Sequence, residues 1–501
     1  MGARHGLRSR AGKGGAAALL LFAGAAAPAF AGEEELRREL EKTRAEMKAL
    51  QDRVAELEGK MESGHGDGAL EKAVDEYLAS RGGSPVGANV SAPGMKALRL
   101  SGQVVFWWER WDGTYRPTDP AGDDVQDIGW LRTALRADAD ITDDLRARVE
   151  IRDSRYFGQE PATTAQLQSP GSGLDLKEGW FEADDLFGIR TKMRAGRQVL
   201  SYGDQRLVGE FDWHTYGRSF DGVLLTRTYD NTKVDVFATR IVERGNGAVI
   251  PGVDNDDREL FGIYTMTPKA LHHSDLDVYV LLLNDRMSMV GEAGGMGNTH
   301  LFTAGFRLAG VKDNLDWGGE AALQRGHFAG DPASAWAAHA RVGYTMSDTR
   351  WTPRIGFEWD LATGDTDPTD GTNRSFQTLF PTNHGHYGIL DAMAWQNMQA
   401  FRATASLKPH RDWTVTADWW RLYLDETEDA WYSASGAPIR PGIPGASRYL
   451  GTEIDLVFTW KASDHMKVAF GGAQFFDGPF VRAGGDASDT TWVYVRFTVT
   501  F

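Results

Sequence analysis

The chain contains no cysteine. That absence removes thiolate zinc sites, disulfide frameworks and thiol catalysis together. It lacks a surplus of positive charge as well: 54 Lys and Arg stand against 70 Asp and Glu, a net charge of −16. A nucleic-acid binder needs a basic footprint, so that class is excluded. Beyond residue 31 no run approaches the roughly 18 uncharged apolar residues that a spanning helix requires. With a mean hydropathy of −0.40, a bundle of transmembrane helices is excluded too. There is no G-x-S-x-G and no phosphate-cradling loop, and no carboxylate pair stands apart from the other acids, so no enzyme is expected. What is abundant is glycine and aromatic residues: 58 Gly beside 17 Trp, 14 Tyr and 24 Phe. That pairing suits many strands joined by tight turns, with aromatic girdles.

Residues 1–31 have the form of a secretory signal peptide. Arg4, Arg8, Arg10 and Lys13 form a basic start, an apolar run follows, and Ala29-Phe30-Ala31 has the form of a signal-peptidase site. Cleavage there removes four cations and takes the net charge from −16 to −20. Residues 32–63 are helical by period. Leu36, Leu40, Thr43, Met47, Leu50, Val54, Leu57 and Met61 alternate spacings of four and three, the heptad seam of a coiled coil. A seam of this kind implies self-association or a periplasmic partner through residues 33–62; the alternative is a helix lying on a domain's rim. Residues 64–96 read as a short helix and a Gly/Pro/Ser linker.

From residue 97 to 501 the period changes to two. Leu145, Ala147, Val149 and Ile151 alternate with Arg146, Arg148, Glu150 and Arg152, and Val493 to Phe501 alternates in the same way. A soluble β-sandwich would also alternate. These strands are longer than those of most sandwiches and match a tilted bilayer crossing. Their polar faces are too charged for a protein interior and suit a water-filled lumen. About eighteen strands are read, starting near residues 98, 128, 145, 174, 189, 218, 232, 258, 275, 299, 315, 335, 350, 394, 411, 448, 465 and 490. Gaps after even strands are short, as at 142–144, 229–231, 347–349 and 462–464. Gaps after odd strands are mostly long, as at 158–173, 199–217, 243–257, 285–298, 362–393, 425–447 and 477–489. The expected fold is an all-β transmembrane barrel in a Gram-negative outer membrane, with short periplasmic turns, long outer loops and a periplasmic coiled-coil segment.

Four stretches carry a family likeness: LRTALRADADITDDLRARVEIRDSRYFG (131–158), GRQVLSYGDQRLVGEFDWHTYGRSFDGV (196–223), FPTNHGHYGILD (380–391) and the closing GTEIDLVF…WVYVRFTVTF (451–458, 492–501). With these, residues 98–501 resemble the alginate export porins. The resemblance implies an eighteen-stranded monomeric barrel whose arginine-lined channel passes an anionic polysaccharide outward. The N-terminal coiled coil departs from that pattern.

The residue chemistry can be read beside the resemblance. If the apolar faces meet lipid, Arg132, Arg136, Arg146, Arg148, Arg152, Arg190, Lys192 and Arg194 point into the lumen. A guanidinium is permanently charged and grips a carboxylate with two hydrogen bonds, and a ladder of them lets a uronate chain step between weak sites. The alternative is a salt-bridge lattice with Asp138, Asp140, Glu150 and Glu182. In 196–222, Arg197, Arg206 and Arg218 stand beside Asp204, Asp212 and Asp221, either as a constriction or as a loop pinned by Arg–Asp pairs. No cofactor is expected. His384 and His386 weakly suggest a metal, and the acidic runs 365–370 and 254–257 weakly suggest loop Ca²⁺. Three readings stay open: export of an anionic polysaccharide, uptake of anionic solutes, and a structural tether through the coiled coil.

Overall fold

A computed structural model describes residues 88–90, 94–113, 125–158, 173–185, 188–242, 258–292, 294–485 and 488–501. The expected signal peptide, the heptad segment and the acidic run 254–257 lie outside the described residues. The described residues belong to the compact unit Pro85–Phe501.

A short strand β1 (Ala88–Val90) precedes β2 (Ala97–Asp112), β3 (Val125–Asp140), β4 (Leu145–Gly158), β5 (Gly173–Ala183) and β6 (Lys192–Gln198). Then come β7 (Phe220–Tyr229), β8 (Thr232–Ile241), β9 (Arg258–Leu271), β10 (Ser274–Val290), β11 (Met296–Lys312) and β12 (Leu315–Phe328). The chain continues through β13 (Asp331–Thr345), β14 (Arg354–Ala362), β15 (Met398–His410) and β16 (Trp413–Tyr423). A loop hairpin β17 (Trp431–Tyr432) and β18 (Pro438–Arg440) leads to β19 (Tyr449–Lys461), β20 (Met466–Asp477), the helix α1 (Pro479–Ala483) and β21 (Thr490–Thr500).

From β2 onward each strand pairs antiparallel with the next, β16 passing over the hairpin to β19. The last strand returns to the first, Gln103 to Asp112 of β2 lying against Thr491 to Thr500 of β21. Among the described residues this is a closed ring of eighteen strands, β2–β16 and β19–β21. The small β1 takes the β2 edge beyond the end of β21, with Val90 opposite Leu98. Closure leaves no unpaired amide row in the hydrocarbon, which is what permits a sheet to cross lipid.

Side-chain parity follows the alternation. Leu131, Leu135 and Val149 are exposed on the outer wall, whereas Arg132, Glu150 and Arg152 are buried inside. Outward Tyr229, Tyr344 and Trp460 lie near the short-turn rim, where aromatic side chains span the apolar and wet layers. One irregularity re-aims a charge. The β4–β5 register shifts between Glu150 and Ile151, so Lys177 and Glu178 are both buried, as in a bulge.

Several boundaries differ from the sequence reading. β10 runs on to Val290 and β11 begins at Met296, so the expected long loop 285–298 shrinks to 291–295. Strands expected from 189, 350 and 394 begin at Lys192, Arg354 and Met398. In each case turn residues at positive φ (Arg190, Trp351, Asn397) hold the chain off the sheet.

The larger surprise is the interior. The loops 199–219, 363–397, 424–448 and 478–489 fold inward and share one apolar core with the wall. Phe376, Trp395, Trp431 and Phe480 are completely buried in it. Val208 and Phe380 form a parallel bridge between the first two of these loops. Trp431 donates to the carbonyl of Ala392 at 2.9 Å, and Asn397 donates to the carbonyls of Glu426 and Ala430, which ties in the third. A loop this buried must satisfy its own amides, and here the loops satisfy one another.

Every barrel strand lies after residue 96 and closure uses only β2 and β21. Deleting residues 32–80 should therefore leave a folded barrel that keeps its heat-modifiable mobility on a denaturing gel. Loss of that mobility would mean that the N-terminal segment takes part in closure.

Candidate functional site

The inward faces of β3 to β6 carry a ladder of cations. Arg136 binds Glu150 at 2.5 Å, Arg148 binds Asp138 at 2.7 Å and Glu178 at 3.3 Å, and Arg194 binds Glu182 at 2.6 Å. Arg146 and Lys192 share Glu182 and Asp184 at 2.9–3.4 Å. Trp180 lies between two rungs, its ring 4.2 Å from the Arg194 guanidinium and 5.2 Å from that of Arg148. The rungs are paired but unequally exposed. Arg136, Arg146, Arg148, Lys192 and Arg194 keep 27–42% of their side chains open, whereas Asp138, Glu150, Glu178 and Glu182 keep 3–13%. These four carboxylates sit against the wall with the cations in front of them, whereas Asp184, at 28%, is as open as Arg148 and Arg194.

Above this ladder the 199–219 loop is fixed by charge at three points. Asp212 accepts from Arg132 at 3.2 Å and from Arg152 at 2.9 Å. Burial raises the Asp212 carboxyl, and the two guanidiniums more than offset it, so it is held below the usual carboxylate range. Asp204 binds Arg307 of β11 at 2.5 Å, and Arg341 of β13 lies 3.7 Å away. Burial opposes ionisation there as well, and Arg307 outweighs it. Arg206 reaches Glu358 at 2.7 Å, Asp360 at 3.0 Å and the Tyr387 hydroxyl at 3.0 Å.

Arg218 is held differently. It donates to the carbonyls of Gly209, Phe380 and Pro381, with the Phe211 ring 5.2 Å away. Burial pushes its guanidinium down to about 9. It is a backbone clasp between the 199–219 and 363–397 loops. Lys177, re-aimed by the bulge, donates to the Arg218 carbonyl at 2.6 Å. The 363–397 loop has its own anchor, where the Leu390 amide donates to Glu453 at 3.0 Å. Gly388, at φ +94°, lets the chain approach, since a Cβ there would lie 2.4 Å from the Glu453 carboxylate.

The residues expected on the path therefore separate into groups. Arg136, Arg146, Arg148, Lys192 and Arg194 line the lumen below the loops. Arg132 and Arg152 face inward from the wall and Arg206 and Asp204 reach from the loop to the wall, and all four hold the 199–219 loop in place. Arg218 is partly buried, and its donors are taken by backbone carbonyls of the two loops. Arg190 is corrected: it lies in the turn before β6, its backbone N–H bonded to Asp185. Arg197 and Asp221 are also corrected. They form a two-pronged pair at 2.8 Å on the outer wall. The reason is parity, since Lys192 and Arg194 face inward and the odd step to Arg197 turns it outward.

The 196–222 motif is thus both an inward-folded loop and a pinned one. The sequence reading missed the far side of the pinning, on β11, β13 and β14. Its signal was present, because Arg307, Arg341, Glu358 and Asp360 sit at inward parity on strands that otherwise face lipid with apolar residues.

The residues behind the weaker metal readings make local contacts. His384 pairs with Asp391 at 2.9 Å and stacks on Trp213. His386 donates through Nε2 to the Asp204 carbonyl at 2.8 Å, and burial pushes it down to about 3. In the 365–370 run, Asp365 accepts backbone N–H groups of Asp367 and Arg374, while Asp370 pairs with Arg374. His339, Glu358 and Asp360 bring ligand atoms within 4.8 Å of one another, and the Arg206 guanidinium lies among them.

The sequence profile of the alginate export family matches residues 115–495. No curated protein sequence matches the chain. Among solved structures, Pseudomonas aeruginosa OpdO is 10% identical over 81% of this chain and 97% of its own, with a TM-score of 0.54. Acinetobacter baumannii OccAB4 is 9% identical over 82% and 100%, also at 0.54. Pseudomonas aeruginosa OccK5 (OpdH) is 10% identical over 82% and 100%, at 0.52. At such identities the likeness is one of fold.

Two outcomes follow from the clasps. Arg206→Ala leaves buried Asp360 without its guanidinium and Glu358 with Arg402 alone, which costs about 3–5 kcal/mol. Arg218→Ala leaves carbonyls without a donor, which costs about 1–3 kcal/mol. Both variants should melt earlier and give noisy currents with unchanged ion selectivity; a selectivity change without lost stability would return these residues to the path. The second outcome is a pH effect at Glu292, in the 291–295 loop. Burial and then neighbouring Asp365 raise its carboxyl to about 7. The folded loop thus holds a proton that the unfolded chain releases near the ordinary value of 4.5. Its contribution is complete below about 4.5 and is lost as pH rises through 7. Current noise should increase between pH 5 and 8, and Glu292→Gln should flatten that rise.

Proposed function

From the premise that this chain belongs to the alginate export family and forms an outer-membrane channel, we propose that it passes an anionic polysaccharide of the alginate class outward along the ladder of β3 to β6. One observation carries the reading: the ladder's cations are 27–42% exposed while the carboxylates behind most of them are 3–13% exposed. Pairing normally cancels a field. Here the negative member of most pairs is held against the wall, Asp184 being the exception, so a polyanion in the lumen meets guanidinium first.

Each rung keeps donors that a passing carboxylate can share with the resident Glu or Asp, an exchange of partners and not the formation of a deep trap. The resident acid thus weakens each site, and weak repeated sites are what let a polymer move. The Trp180 face, held between Arg148 and Arg194, adds an apolar step beside the charges. The inward loops set the bore above the ladder. A passive pore has no direction in its strands, so export rests on the family. In this reading the heptad segment, residues 33–62, docks a periplasmic helix or a second copy of the chain.

The test is conductance in planar bilayers at low salt, with reversal potentials and block by polyuronate. The channel should prefer anions despite the acidity of the chain. Arg148→Ala and Arg194→Ala should each weaken polyuronate block by up to about fivefold, since partly exposed pairs are worth about 0–1 kcal/mol. Arg197→Ala, on the outer wall, should change neither selectivity nor block. A cation preference would end the polyanion reading and leave the barrel standing.

A further inference from the structure

The outer wall from β9 to β12 carries a row of side chains that the pore does not use. Antiparallel register sets Glu259 opposite Asn284, Asn284 opposite His300, and His300 opposite His327. Both histidines are exposed. Their outward parity continues along β11 and β12 through Phe302, Phe306 and Leu323, which face lipid. The row thus stands just above the apolar band, at the long-loop rim where water and head groups meet the wall. Beside His327 the chain is built for close approach. Gly326 takes φ +142°, and a side chain there would run into the His300 carbonyl. Only glycine lets β12 lie against β11 at that point.

Directly opposite residues of an antiparallel pair have Cβ atoms about 4.5–5.5 Å apart. Two imidazoles on such a pair can each turn one nitrogen toward a common point about 2.0–2.1 Å from both. Among the described residues neither imidazole has a hydrogen-bond or ion-pair partner. The third donor in the row is an oxygen. Asn284 gives its Nδ2 to Glu259 at 2.8 Å, which fixes the amide and leaves Oδ1 on the side away from β9. That Oδ1 is buried and has no partner among the described residues. Buried amide oxygens are ordinarily paired, so this one calls for a positive partner.

The charged groups around the row are Glu259, Arg240, Arg286 and Arg325. Arg240 at 3.2 Å and Arg286 at 2.8 Å both lie on Glu259. Arg325, next to His327 at the same parity, turns its guanidinium to the Gln324 carbonyl at 2.9 Å. Exposed charges are screened by salt, so the ligand set decides what binds here.

We propose that His300, His327 and Asn284 form a site for a divalent transition-metal ion of the zinc class on the outer rim of the barrel. Two imidazole nitrogens and one amide oxygen suit Zn²⁺, Ni²⁺ or Cu²⁺ and leave the remaining coordination to water. Ca²⁺ and Mg²⁺ demand oxygen ligands and are not served by this set. Glu259 orients Asn284 from behind, as a carboxylate commonly does for a metal ligand. A bound ion ties β10, β11 and β12 together at the rim. This inference concerns the outer wall and is independent of what the pore carries.

The test is calorimetric titration of Zn²⁺ into the full chain in detergent, without an affinity tag. A saturable site should appear. His300→Gln and His327→Gln should each weaken it at least about tenfold, since even the loss of a group behind a ligand costs about that much. Asn284→Leu should weaken it several-fold. His272→Gln with His273→Gln, exposed neighbours in the turn between β9 and β10, is the control and should change nothing. Cu²⁺ on the parent chain should show two imidazole nitrogens by electron paramagnetic resonance, and one in either histidine variant. Planar-bilayer currents of all these variants should match the parent channel, which also shows that they fold. Absence of saturable binding, parental affinity in either histidine variant, loss of binding in the control, or equal binding of Ca²⁺ would each overturn the proposal.

Discussion

A backbone amide in hydrocarbon must find a partner within the sheet, and the whole molecule is arranged around that requirement. Closing β21 on β2 meets it on the outside. The consequence inside is less obvious. Once the wall is closed, half of every strand's side chains are withdrawn from lipid, and whatever enters the lumen must be satisfied there. The loops 199–219 and 363–397 could fold inward only because inward-facing Arg132, Arg152, Arg307, Glu358 and Glu453 were waiting for their charges and amides. The plug is thus a product of the wall's polar face.

Buried charge is costly unless it is paired, and a lumen offers two kinds of pairing. Around the 199–219 loop the pairs join loop to wall, with Arg206 enclosed among Glu358, Asp360 and Tyr387. There the charges buy position. Below it the pairs join wall to wall, strand to neighbouring strand, and their cations remain wet. The same two residue types therefore perform two jobs, separated by depth. Arg152 belongs to both, bonding Glu150 on its own strand at 2.8 Å and Asp212 in the loop at 2.9 Å.

Much of the barrel was legible because period two is a direct imprint of a two-sided wall. The eighteen strands, their starts to within a few residues and most of the long and short connections could be read from residue order, the expected long loop 285–298 being an exception. Where the reading slipped, it was at strand ends. Lys192 and Ile189 look equally extended in sequence, and only the positive φ of Arg190 places it in the turn. The site was half legible. Ladder positions on β3 and β4 followed from parity within an unbroken run, whereas Arg197 was counted with its loop motif and not with its strand, and so was assigned to the wrong face. The plug was not legible, because aromatic residues in a long loop have no period and their partners lie as far away as Leu361 is from Trp395 or Ala392 from Trp431.

Parity also explains how one short strand serves two solvents. Along β6, Lys192 and Arg194 pair with Glu182 inside, and Arg197 pairs with Asp221 outside. Nothing in residue type distinguishes these arginines. What differs is the partner across the ladder of hydrogen bonds: Arg194 lies opposite Glu182 of β5, while Arg197 lies opposite Gly179 on that side and Asp221 of β7 on the other. A charge on this wall takes its role from the neighbour to which the register delivers it. The register is set in turn by the bulge at Lys177 and by the short turn before β6, so a one-residue insertion in that turn would exchange the faces of Arg194 and Arg197. It would put the ladder's cation against lipid and the rim's cation into the lumen. The specificity of the inner and outer surfaces therefore rests on turn length as much as on the charged residues themselves.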